Sequence, residues 1–281
     1  MPHQKNATFD PMKDLPNSKK GYNDNTLKAF DRLLHIMDEL REKCPWDREQ
    51  TLESLRPLTI EETYELSDSI VNQDNNGIAK ELGDLLLHIV FYAKIGSELQ
   101  TFTMEDVINK LCDKLIYRHP HVFGTTEVQG SGEVVENWEK LKMTEKDGNK
   151  SILSGVPSGL PALIKAYRIQ DKARAVGFDW EEREQVWDKV KEELAEFMEA
   201  QQQCDALQME AEFGDLIFSL VNAARLYGIN PETALEQTNR KFIKRFNYLE
   251  QQTIKKGRSL KEMTLQEMDT IWEDSKIVRA D

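Results

Sequence analysis

Residues 61–84 read EETYELSDSIVNQDNNGIAKELGD, and residues 192–215 read EELAEFMEAQQQCDALQMEAEFGD. Each stretch opens with E-E-x-x-E and closes with E-x-x-D, and corresponding acids stand 131 residues apart. Residues three and four apart on a helix share a face. Glu62 and Glu65 therefore project together, and Glu81 and Asp84 do so from a second helix. The polar stretch NQDNNG between them is a turn. A turn that short lays the two helices antiparallel and gathers four or five carboxylates in one place. The same unit then recurs with Glu192, Glu193, Glu196, Glu212 and Asp215. The expectation is an all-α protein, a tandem duplication of a four-helix unit rather than a short-period solenoid.

The flanking pattern agrees. In LKAFDRLLHIMDELREK, apolar residues recur at steps of three and four from about residue 25. Pro45 is expected to stop that helix, CPWDREQT to bend, and Pro57 to open the next helix, residues 58–71. A third helix is expected from near Ile78, and a fourth over EDVINKLCDKLIYR, ended by Pro120. Residues 124–160 are rich in Gly, Ser and Pro, with a short helix at EVVENWEKLKMTE, and read as a connection. The scheme then restarts with the helix PALIKAYRIQDKARA, the bend VGFDWEEREQ, the two acid-bearing segments and a last long helix from PETALEQ. The domains expected are a flexible tail at 1–24, helical domains at 25–123 and 161–281, and the connection at 124–160. About 100 residues barely support a separate core, and the acid-bearing pair carries wide apolar runs such as LLLHIVFYA. A homodimer follows as the expected assembly.

Carboxylates held this close repel, and one is forced to protonate unless a cation intervenes. Mg²⁺ suits them: it is hard, takes oxygen ligands, and completes its octahedron with water and substrate phosphates. A single E-E-x-x-E is most often solvated surface. The E-x-x-D motifs are harder to dismiss, because in ELGDLLLHIVF and EFGDLIFSLVN they stand at the mouth of an apolar run, and buried acids are paired or metal-bound. Gly83 and Gly214 weaken their helices relative to alanine and read as points where helices or a ligand approach closely. Di-iron bundles use E-x-x-H, which neither copy has. His88, one turn beyond Asp84 and matched by Ser219, reads as a packed or supporting residue.

The 281 residues carry a net charge of −13, which argues against a nucleic-acid surface but not against a phosphate ligand bridged by a metal. The three cysteines, Cys44, Cys112 and Cys204, lie far apart, fit no zinc or disulfide spacing, and are expected to be reduced and mostly buried. The N-terminus has no secretory h-region, and no apolar run is long enough to span a bilayer. The cytoplasm is the expected location, with no membrane partner.

With CPWDREQT, EETYEL, KELGDLLLHIVFYA, YRHPHVFG, GLPAL, VGFDW and EFGDLIFSLVNAAR in view, the chain resembles the tandem-domain MazG family of all-α nucleoside triphosphate pyrophosphohydrolases. The likeness runs over about residues 27–275. It implies Mg²⁺-dependent cleavage of a nucleoside triphosphate to the monophosphate and pyrophosphate, by homodimers that act on non-standard or stress-related nucleotides. By position it implies that Glu193, Glu196, Glu212 and Asp215 hold Mg²⁺ in the second copy, and Glu62, Glu65, Glu81 and Asp84 in the first. Glu192 and Glu61 are each an orienting group or the base that takes a proton from water. Lys241 and Arg245, with Lys114 and Arg118 in the first copy, are the phosphate contacts implied. Trp272 is a candidate to stack on the base, and Asn222, which replaces Phe91 of the first copy, a candidate to face the substrate. AQQQCDALQM lacks the lysine that relatives often carry near Gln208. Two rival readings are a catalytically silent helical interaction protein and a pyrophosphatase of another nucleotide.

Overall fold

The computed structural model describes residues 24–144, 151–255 and 257–277. All of the tail expected at 1–24 except Asp24 lies outside the described residues. Among the described residues there is no strand, and none of the helices is long and apolar enough to cross a membrane. The chain divides into two compact units, Met1–Glu133 and Val134–Asp281.

In the first unit, α1 (Asp24–Lys43) follows the three-four apolar spacing. Pro45 does more than stop it: it sits at the first position of a short helix, α2 (Pro45–Glu49), where a missing N–H costs nothing. Helix α3 (Leu52–Val71) begins earlier than expected, and Pro57 lies inside it. Thr51 and Ser54 form a capping box, and Leu55 is buried beneath the first turns. Cap and burial together outweigh the one backbone bond that Pro57 forfeits. Helix α4 (Asn75–Glu98) packs along α3. Behind them Met37, Leu55, Val90, Phe91 and Ile95 form the core, with Phe30, Leu34 and Leu87 against it. Helix α5 (Met104–Arg118), opened by a Thr103–Asp106 capping box, and α6 (Pro120–Phe123) complete the unit.

Helix α7 (Ser131–Thr144) spans the division. The second unit repeats the scheme with α8 (Ala162–Arg174), α9 (Val186–Gln203), α10 (Ala206–Leu226) and α11 (Pro231–Lys255). The two hairpins turn the same way. Gln73 and Cys204 both take positive φ, 55° and 53°, and the next residue, Asp74 or Asp205, caps the second helix by accepting from backbone N–H groups at 3.1 Å. Asp is a preferred cap, so this turn is written locally in both copies. Helix α12 (Leu265–Ile277) packs on α11 and was not expected from the apolar pattern. Its signal is the pair Thr264 and Glu267, which cap each other.

Two further expectations fail, the second only as regards helix approaching helix. Cys112 and Cys204 are exposed and only Cys44 is half-buried: Cys112 lies on the open face of α5, and Cys204 occupies the hairpin turn. A Cβ added at Gly83 or Gly214 would meet nothing within 4 Å, so no close approach within the chain requires either glycine.

Candidate active site

Helix packing brings the repeated acids together as two separate groups. In the first unit, oxygens of Glu62, Glu81 and Asp84 lie within 4.8 Å of one another; in the second, those of Glu193, Glu196 and Glu212 do so. Glu65 joins the first group through Lys80, whose Nζ lies 2.9 Å from Glu81 Oε1, 3.5 Å from Asp84 and 4.0 Å from Glu65. In the second unit Lys189 takes the comparable place, 2.7 Å from Glu193 and 2.9 Å from Glu192. Glu61 is exposed on α3, and Asp215 is exposed at the rim of the second group.

The electrostatics are those of crowded like charges. Burial, followed by the charges of Asp84, Glu65 and Glu81, raises the Glu62 carboxyl above its usual range. Burial, then Glu193 and Glu212, raises Glu196. The lysines are raised too, which in their case favours the charged form. Lys80 is raised chiefly by its hydrogen bond to Glu81, and Lys189 by those to Glu193 and Glu192. Each group thus draws in a cation, but from a different helix: Lys80 comes from α4 and Lys189 from α9. Glu81 is buried, and its Oε2 has no hydrogen-bond partner. A donor set made only of carboxylates, a buried oxygen without a partner and an ammonium stand-in all fit a hard divalent cation. His88, buried one turn from Asp84, is held below its usual range by burial, against the pull of Asp84.

The units differ beside the acids. In the second, a cavity of about 640 Å³ opens between α8, α9, α10 and the bend at 177–180. Glu193 and Asp215 line it towards the metal group, while Phe178, Trp180, Gln170 and Asn222 line the remainder. One wall is fixed by Arg225. Its guanidinium binds both Asp179 oxygens, Nη1 to Oδ2 at 3.0 Å, and donates to Asn222 Oδ1 from Nε at 3.1 Å and Nη2 at 2.8 Å. Burial alone would raise the Asp179 carboxyl; Arg225 and the Trp180 amide outweigh it and hold it below the usual range. In the first unit Phe91, at the position of Asn222, is core, and Arg41 stacks over its ring at 5.6 Å.

Asn222 thus lines the cavity. Lys241, Arg245 and Trp272 do not line it. Arg245 lies over the Trp272 ring at 5.9 Å, and Trp272 packs on Phe242 at 5.1 Å, which makes Trp272 the anchor of α12 on α11. Lys114 is exposed on α5, and Arg118 is the last residue of that helix.

The MazG nucleotide pyrophosphohydrolase domain matches the chain twice, over residues 50–123 and 181–249. This chain belongs to the MazG family. Among its relatives is the nucleoside triphosphate pyrophosphohydrolase/pyrophosphatase MazG of Thermotoga maritima, 46% identical over 250 residues, which are 88% of this chain and 95% of that protein. The nucleoside triphosphate pyrophosphohydrolase of Escherichia coli K12 is 41% identical over 257 residues, 89% of this chain and 98% of that one. The uncharacterized protein YabN of Bacillus subtilis is 44% identical over 251 residues, 88% of this chain and 51% of its own length. Each MazG match contains one acidic hairpin in full. Sequence reasoning passed over Gln170, Asp179, Arg225 and both lysines. Asp179 and Arg225 stand inside the segments VGFDW and EFGDLIFSLVNAAR, but neither segment says that the two meet; they pair because the 177–180 bend folds back on α10.

Proposed function

We propose that this chain is a Mg²⁺-dependent nucleoside triphosphate pyrophosphohydrolase, converting a triphosphate and water to the monophosphate and pyrophosphate, with most turnover at the α9–α10 site. One observation carries the reading: Glu193 belongs at once to the acid group and to the cavity wall, so metal-bound phosphates and the nucleoside meet at one carboxylate. Glu193, Glu196, Glu212 and Asp215 would hold the ion, as Glu62, Glu65, Glu81 and Asp84 would in the first unit. When bound, Mg²⁺ neutralises the polyphosphate and the charge building on pyrophosphate. Glu193 is tied to Lys189, which must give way as substrate enters. Glu192, or Glu61 in the first unit, is placed to take the proton of the attacking water or to orient its neighbour. The new P–O bond forms from that water as the bond to pyrophosphate breaks.

The assembly proposed is a homodimer in the cytoplasm. Leu194 and Met198 on α9 and Phe213, Ile217 and Leu220 on α10 are exposed apolar residues on the acid-bearing pair. Ile60, Tyr64, Leu82, Leu86 and Ile89 repeat the pattern on α3 and α4. A second copy would cover such stripes. It would also bring another set of α11 cations, Lys241 and Arg245, towards the phosphates.

The test is release of pyrophosphate from a panel of nucleoside triphosphates, with and without Mg²⁺. Glu193→Gln should abolish it while helical circular dichroism is unchanged. Orthophosphate as first product, or full activity in chelator, would overturn the assignment.

A further inference from the structure

The wall of the cavity beside Glu193 holds a buried acceptor that the protein leaves unanswered. Gln170 is 6% exposed and lines the cavity. Its Nε2 donates to the Phe218 carbonyl at 2.8 Å. A carbonyl only accepts, so this bond fixes which end of the amide is nitrogen. Oε1 is then left buried with no partner, a situation that costs free energy unless a ligand supplies a donor.

The first unit shows what the same place looks like without that demand. Residues 36–41 read IMDELR and residues 169–174 read IQDKAR, and α1 packs on α4 as α8 packs on α10. Gln170 therefore corresponds to Met37, Phe218 to Leu87 and Asn222 to Phe91. Met37 and Phe91 are 1% and 2% exposed and belong to the core, with Leu87 against them. What is packed hydrocarbon in one unit is a cavity with two amides in the other. A core position that exchanges Met for Gln, and leaves the oxygen unpaired, gains nothing for folding.

We propose that Gln170 reads the base: its Oε1 accepts a hydrogen bond from a ring or exocyclic N–H of the nucleobase that enters this cavity. The proposal rests on the hydrolase reading and adds to it a specificity residue. The ligand class is a heteroaromatic base presenting a donor edge, bordered by Asn222 and with Trp180 also on the wall. The first unit, with Met37 and Phe91 filling the same place, has no such subsite.

The experiment compares kcat/KM for a nucleoside triphosphate with that for the abasic tetrahydrofuran triphosphate. Gln170→Met keeps the volume and places the first unit's residue in the second. The ratio of the two constants should fall about ten-fold, the worth of one hydrogen bond, and the fall should appear in KM. An unchanged ratio overturns the proposal, as does an equal loss on both substrates. Calorimetric titration with a nucleoside monophosphate separates this result from failure of the hydrolase reading. Ten-fold weaker binding in Gln170→Met upholds the base contact even if no triphosphate is cleaved, and equal binding refutes it. Should Gln170→Met fail to fold, wild-type protein serves: methylating the N–H edge of its best nucleotide must weaken binding about ten-fold, and no loss with any methylated edge ends the proposal.

Discussion

Arg225→Met tests whether the 177–180 bend is pinned in the way the cavity requires. The Arg225 side chain is 6% exposed and that of Asp179 20%. Removing one partner of a buried pair costs about 3–5 kcal/mol, because the other charge is stranded. Water reaching Asp179 recovers part of this, and Asn222 Oδ1 loses two donors, about 1 kcal/mol more. The expected loss is about 3 kcal/mol at pH 7, read from the denaturant midpoint of the transition that the substitution moves. Adding Asp179→Asn to Arg225→Met should restore about 2 kcal/mol, the non-additivity of a contacting pair. The pH dependence has a definite sign. Asp179 is depressed in the wild type, so its contribution is complete above the unfolded carboxyl value, about 4, and disappears as pH falls through the folded value. Without Arg225, burial raises the same carboxyl and the variant gains relative stability on protonation. The gap between the two proteins should therefore be widest near neutrality and close below about pH 4. A loss under about 1 kcal/mol, a pH-independent gap or an additive double variant would refute the reasoning.

Glu196→Ala should remove most triphosphate hydrolysis and Glu65→Ala little, because the second unit's acids border the cavity lined by Gln170 and Asn222, whose places Met37 and Phe91 fill in the first; equal losses would mean two working sites. Met37→Gln should cost the first unit about 2 kcal/mol by burying an amide without partners, seen as a lower denaturation midpoint, and an unshifted midpoint would show that the position is not sealed. Light scattering at micromolar concentration should give twice the chain mass, and a monomeric mass would sink the dimer.

The acidic hairpins were legible because their information is local. Acids three and four apart share a helix face whatever else the chain does, and Asp74 and Asp205 mark where each hairpin turns. The helix starts at Thr51 and Thr264 were also written locally, as a side chain facing its own third neighbour, but an apolar-period reading does not look for them. Pro57 was misread for the same reason: proline at a first turn is the commoner case, and only the Thr51 cap with buried Leu55 shows that the helix had already begun. The cavity was not legible. Its walls come from α8, α9, α10 and the bend, and a Gln in an otherwise apolar helix stripe looks like noise until its oxygen is found unpaired. The lysines were hidden differently, since Lys80 and Lys189 do not occupy corresponding positions in the repeat.

That last difference bears on how the two units came to be unlike. Both keep three carboxylate oxygens within 4.8 Å, yet the buried acid is Glu81 on α4 in one and Glu193 on α9 in the other. The charge problem is the same in each, and each meets it with whichever lysine its helices bring near. Such a group tolerates a change of partner, because attraction between an ammonium and several carboxylates needs no exact register. The wall beside it does not tolerate change so easily. Met37 and Phe91 are fully packed, and replacing them with amides would leave unpaired polar groups unless a ligand arrived to pair them. The same two positions thus decide whether an acidic hairpin stands against a sealed core or opens onto a pocket, and a cation-binding hairpin becomes a nucleotide site only in the second case.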